Sequence, residues 1–88
     1  MVKGKTSSGF EFELADDVAD DYDLLLLFRQ YRKTPSMDIV VDIAINLLGE
    51  EQHRALMDFC RDEKGKLKTS AMMTALEEIE NAIPSVKN

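Results

Sequence analysis

Apolar and acidic residues alternate through Gly9-Phe10-Glu11-Phe12-Glu13-Leu14. At the two-residue period of a strand, Phe10, Phe12 and Leu14 share one face and Glu11 and Glu13 the other. Residues 2–6 and 10–14 flank Ser7-Ser8-Gly9, a polar turn whose glycine can take a positive φ. The spacing therefore predicts a β-hairpin over residues 2–14. Two strands are not stable in isolation and need a helical layer over the aromatic face.

Beyond Leu14 the period becomes helical. A first helix is expected over about 17–33, with Asp16 and Asp17, or Asp20 and Asp21, at its N-terminus. Arg29, Arg32 and Lys33 suit its negative end, and Thr34-Pro35 stops it. Ser36 can cap a second helix over 36–48, closed by Gly49. That segment is apolar around most of its circumference except for Asp38, Asp42 and Asn46, which marks a central helix. A third helix, about 50–61, is expected to bury Ala55, Leu56, Phe59 and Cys60 before a turn at Asp62-Glu63-Lys64-Gly65. Thr69 or Ser70 can cap a last helix over 69–83, where Met72, Leu76, Ile79 and Ile83 recur at helical spacing and Pro84 follows. The expected fold class is α+β and mostly α: one domain, residues 1–88, with an N-terminal β-hairpin and a bundle of about four short helices. Ile39, Ile43, Leu47, Phe59, Leu76 and Ile79 form its expected core.

The block Leu24-Leu25-Leu26-Leu27-Phe28 complicates this picture. Leu24, Leu27, Phe28 and Tyr31 make one helical stripe, and Leu25 and Leu26 fall outside it. Five consecutive large apolar residues cannot face one side of a helix. Either a second layer of the protein covers the remainder, or Leu25 and Leu26, with Arg29 beside them, are left for a partner.

Length and charge narrow the classes of function. A chain of 88 residues, 44% hydrophobic, can build one modest core, burying roughly 60–65% of its unfolded surface. No apolar run approaches the ~20 residues a bilayer requires, and no apolar segment follows Met1-Val2-Lys3-Gly4-Lys5 to make a secretory signal. The single cysteine, Cys60, has no internal disulfide partner, which fits a reducing cytoplasm. A net charge of −6 argues against nucleic acid as a partner. Residues 11–23 hold seven acids (Glu11, Glu13, Asp16, Asp17, Asp20, Asp21, Asp23) and no base; they form either a solvated face or an electrostatic docking patch.

Candidate chemistry is sparse. His53, the only histidine, lies in Glu50-Glu51-Gln52-His53-Arg54, the expected first turn of a helix, and reads as a solvated side chain. Neither a second histidine nor paired cysteines at zinc spacing accompany it. Cys60 falls on an apolar face as an inert thiol. Asp62-Glu63-Lys64-Gly65 lacks the alternating ligands and closing glutamate of a calcium loop and reads as a turn. The Asp16–Asp23 acids read as caps rather than cation ligands. Ser36-Met37-Asp38 at a helix start resembles an acyl carrier protein's phosphopantetheine site. However, Pro35 stands where an acid is expected, and carrier domains lack an N-terminal hairpin. The expectation is a non-enzyme, with no catalytic residue, no metal and no cofactor.

Taken together, the chain resembles the tail assembly chaperones of long-tailed bacteriophages and prophages of Gram-positive hosts. The resemblance rests on Thr6-Ser7-Ser8-Gly9-Phe10-Glu11-Phe12-Glu13-Leu14, Asp20-Asp21 with Leu24-Leu25, and Leu47-Leu48-Gly49-Glu50-Glu51-Gln52. It continues through Asp62-Glu63-Lys64-Gly65 and Met72…Leu76-Glu77-Glu78-Ile79. It departs at Arg32–Asp38, where the connection is short. The resemblance implies a non-catalytic protein of the host cytoplasm that binds the tape measure protein and helps recruit tail tube protein. It also implies absence from the mature virion and, in many such phages, a longer frameshifted form. The partners it implies are proteins, including a possible second copy, rather than nucleic acid or membrane. Leu25, Leu26, Arg29 and Met73 are the candidate partner-binding residues, methionine being adaptable in packing.

Overall fold

The structure is a computed structural model and describes residues 1–84. Two antiparallel strands, β1 (Val2–Lys5) and β2 (Glu11–Leu14), precede three helices, α1 (Tyr22–Lys33), α2 (Met37–Cys60) and α3 (Thr69–Asn81). The α+β, mostly helical expectation holds, with three helices instead of four.

The hairpin forms as its alternation dictates. Phe10, Phe12 and Leu14 are buried, while Glu11 and Glu13 are exposed. The register pairs Val2 with Leu14 and Gly4 with Phe12. The Phe12 ring lies over Gly4, where any side chain would collide with it. Buried Thr6 organises the turn: its N–H donates to the Phe10 carbonyl at 2.9 Å, and its Oγ1 accepts from the Phe10 N–H at 3.0 Å. Gly9 takes the expected positive φ, 106°.

The first helix starts five residues later than its expected start near residue 17. Residues 15–20 form turns, with Val18 N–H bonded to the Ala15 carbonyl and Asp20 N–H to the Asp17 carbonyl. A helix through this stretch would set Asp16 against Asp20 and Asp17 against Asp21, like charges four residues apart. Turns avoid that and bury Val18. Asp21 is the cap, its Oδ1 accepting from the Leu24 N–H at 3.2 Å. The helix ends at Lys33, before Pro35.

The two helices expected on either side of Gly49 form the two arms of α2, which is interrupted by a kink at that residue. Gly49 has φ 78° and ψ 162°, a region open essentially to glycine alone. Ser36 caps α2 as expected, its Oγ accepting from the Asp38 N–H at 3.2 Å. The Asp62–Gly65 turn also forms: Asp62 Oδ1 accepts from the Lys64 and Lys66 N–H groups, each at 2.9 Å. Neither Thr69 nor Ser70 caps α3, whose N-cap is Lys68 with no side-chain bond. The helix stops at Asn81, short of Ile83.

Leu14, Leu56 and Ile79 are the largest fully buried side chains, so the centre of the core lies where β2, the second arm of α2 and α3 meet. Ile43, Leu47, Leu76 and Ile79 are buried as expected, and Ile39 is half-buried. Phe59 is not core. It is 46% exposed and lies tilted against Phe10, centroids 5.5 Å apart, beneath the hairpin turn. Ala55 is likewise exposed. The first arm of α2 is less central than its composition suggested, since Met37 and Val41 are exposed.

Candidate protein-docking surfaces

The structure separates the four candidate partner-binding residues into two places. Leu25, Leu26 and Arg29 lie together on the outer face of α1. The inward stripe of that helix is built as its spacing requires, with Leu24 buried and Leu27, Phe28 and Tyr31 packed against the core. Leu25 is 54% exposed and Leu26 40%, so no second layer among the described residues covers them. Tyr22, 72% exposed, extends the same face. Residues 22, 25, 26 and 29 stand at i, i+3, i+4 and i+7, one helical stripe. Tyr22 was not among the expected partner residues, although this outer stripe is legible once the inner one is assigned. Leu26 and Arg29 also border a shallow groove with Asp23, Gln30 and Lys33.

Met73 belongs elsewhere. It is half-buried on α3 and lines a groove of about 390 Å³ between the two arms of α2 and α3. Met37, Val40 and Val41 contribute from the first arm, His53 and Met57 from the second, and Met72, Met73 and Leu76 from α3. Four of the chain's five methionines therefore meet in one apolar depression. The bend at Gly49 contributes to the opening, because it divides α2 into the two arms that form its walls. His53, expected to be solvated, is half-buried in this wall. Only the three-dimensional bend brings it beside Met37 and Met73.

The polar groups elsewhere serve the fold. Gln52 accepts from the Glu13 N–H at 2.7 Å and donates to the carbonyls of Glu13 at 2.9 Å and Leu48 at 3.1 Å. It thereby ties the outer edge of β2 to the bend of α2. Ser7 binds Glu78 through both its N–H (2.9 Å) and its hydroxyl (3.1 Å), holding the hairpin turn to α3. Cys60 is half-buried, and desolvation pushes its thiol pKa up, which disfavours the nucleophilic thiolate. Glu80 also has a raised pKa, first through burial and second through the neighbouring Glu77 charge. Within the acid-rich segment, Glu13 pairs with Lys3 at 3.8 Å, Asp16 pairs with the N-terminal ammonium, and Asp21 caps α1.

Among the described residues, no group of three or more His, Cys, Asp or Glu side chains is placed to hold a metal ion. No helix among them is long and apolar enough to cross a membrane. Compared with protein-family models, curated proteins and solved structures, the chain matches none.

Proposed function

We propose that this protein is a non-catalytic tail assembly chaperone of a long-tailed bacteriophage or prophage. It acts in the bacterial cytoplasm, binds the tape measure protein, assists tail tube assembly, and leaves before the virion is complete. The observation that carries this reading is the outer face of α1. There Tyr22, Leu25 and Leu26 stand in water on a helix whose inner stripe is already filled. Burying a leucine is worth about 1.5–3 kcal/mol, so this face gains stabilisation when a partner covers it. The acids at Asp16, Asp17, Asp20 and Asp23 border its N-terminal end, oppose self-aggregation and favour basic client segments.

The segments that carry the family resemblance also act together. Phe10–Leu14 forms β2 and its lead-in, Leu47–Gln52 forms the bend of α2, and Gln52 joins the two. Co-expression with the tape measure protein encoded in the same genome tests the reading. The client should remain soluble and co-purify with this chain. A client that stays insoluble, with none captured, would refute it.

The exposed carboxylates in the 15–20 turns support a second reading, a small acidic module that docks on a basic enzyme surface. Under that reading, capture would depend on these carboxylates and would be insensitive to Leu26. The acyl-carrier alternative has a direct check at Ser36, whose Oγ is engaged in capping α2. Intact mass after expression with a phosphopantetheinyl transferase should show no pantetheine adduct.

A further inference from the structure

We propose that the methionine-lined groove between the arms of α2 and α3 seats an amphipathic partner helix whose apolar stripe is followed by a lysine or arginine that pairs with Glu77 and Glu80. This deepens the chaperone reading and rests on it for the source of the partner helix. It assigns that helix to a surface separate from α1.

The groove walls dictate an apolar occupant. Met37 is 50% exposed beside the opening, and Met57, Met72 and Met73 line it from two other sides. Methionine is unbranched and polarizable, so a wall made of it repacks around leucine, isoleucine or aromatic side chains of differing shape. A depression of about 390 Å³ between helices admits the projecting stripe of a helix rather than its whole body.

Charge at one end of the α3 wall specifies the rest of the occupant. Glu77 lies four residues beyond Met73, and Glu80 four beyond Leu76, so both continue the face that lines the groove. Neither is in an ion pair among the described residues, whose ion pairs involve Asp16, Glu13 and Asp58. Burial and mutual repulsion hold the Glu80 carboxyl above its ordinary pKa, the condition that an arriving cation relieves. The outer α1 stripe of a second copy also runs from Tyr22, Leu25 and Leu26 into Arg29, so concentration-dependent self-association that is lost in Leu26→Glu and in Met73→Glu alike would give the groove to that copy and overturn the assignment to a partner helix.

The test titrates the full chain with two synthetic amphipathic helices of about five turns. Both carry the same leucine stripe, one ending in lysines and the other in glutamates. The lysine peptide should bind saturably with 1:1 stoichiometry, and the glutamate peptide about tenfold more weakly. Glu77→Gln/Glu80→Gln should weaken the lysine peptide about fivefold and erase the preference. Met73→Glu, shown to be folded by circular dichroism, should abolish binding, and Leu26→Glu should leave it unchanged. If Met73→Glu does not fold, Met37→Glu, at a more exposed wall position, provides the same comparison. Equal affinity for the two peptides, no saturable binding, or binding lost in Leu26→Glu but kept in the groove variants would overturn the assignment. The peptides contain no tape measure sequence. Failure here with the client still co-purifying removes only the groove assignment, whereas peptide binding without client capture removes the chaperone reading.

Discussion

The side-chain amide of Gln52 lies along the backbone of Glu13 as a third strand would. It accepts from the Glu13 N–H at 2.7 Å and donates to the Glu13 carbonyl at 2.9 Å. The register explains why those groups are free to bond outward. Thr6 and Phe10 are a hydrogen-bonded pair, so by alternation Lys3 and Glu13 are a non-bonded pair whose backbone groups point away from the hairpin. The same amide also takes the Leu48 carbonyl, next to the bend at Gly49. Gln52→Ala should therefore destabilise the fold by about 1–3 kcal/mol, read from urea unfolding. Gln52→Glu should do no better, because a carboxylate cannot donate to either carbonyl. A change within a few tenths of a kcal/mol would show that the hairpin does not depend on this clamp.

Gly49→Ala isolates the bend itself. Nothing lies within 4 Å of where its Cβ would be placed, so the cost is conformational rather than steric. A residue with a side chain at φ 78°, ψ 162° should cost about 1–3 kcal/mol, measured by thermal or urea unfolding. A neutral or stabilised Ala variant would mean that α2 runs straight.

Core position separates two large apolar residues on α2. Ile43→Ala, at a site only 4% exposed, should cost about 2–5 kcal/mol. Phe59→Ala should cost clearly less, because almost half of that residue is already in water while its ring leans on Phe10. The reverse order in denaturant midpoints would contradict the packing described here.

Glu80 gives a pH dependence with a definite sign. Its pKa is raised in the folded state, so the folded chain holds this proton more tightly than the unfolded chain. Its ionisation accordingly opposes folding, and that cost develops as pH rises from the ordinary glutamate value through the raised one. At neutral pH Glu80→Gln should be more stable than the parent, and the difference should shrink as pH falls through that window. Urea midpoints of both proteins across the acid range provide the check. A gap that widens on acidification would reverse the sign.

Much of this fold is legible in local pattern. The two-residue alternation at Phe10–Leu14 and the polar turn at Ser7–Gly9 lead directly to the hairpin, and Ser36 and the Asp62–Gly65 turn behave as their chemistry suggests. The errors arise where tertiary geometry outweighs local pattern. Gly49 does break the helix where its sequence places a stop, but the angle between the two arms, which opens the groove, is not legible there. Phe59 has helical core spacing, but the small hairpin cannot cover it, and it ends under the turn beside Phe10. The α1 face was visible in the Leu24–Phe28 run by subtraction. The methionine groove was not, because Met37, Met57 and Met73 are distant in sequence and are brought together by the bend.

Whether the outer face of α1 is a protein contact is decided by Leu26→Glu. Leu26 is 40% exposed, so the variant should keep the parent's circular dichroism spectrum and unfolding midpoint. The measurement is the amount of tape measure protein that co-purifies with Leu26→Glu relative to the parent, with self-association followed alongside by light scattering. The expected result is a folded variant whose capture of the client falls at least about tenfold, as for a contact-centre residue. A folded variant that captures the client undiminished would show that the outer face of α1 is not the client contact.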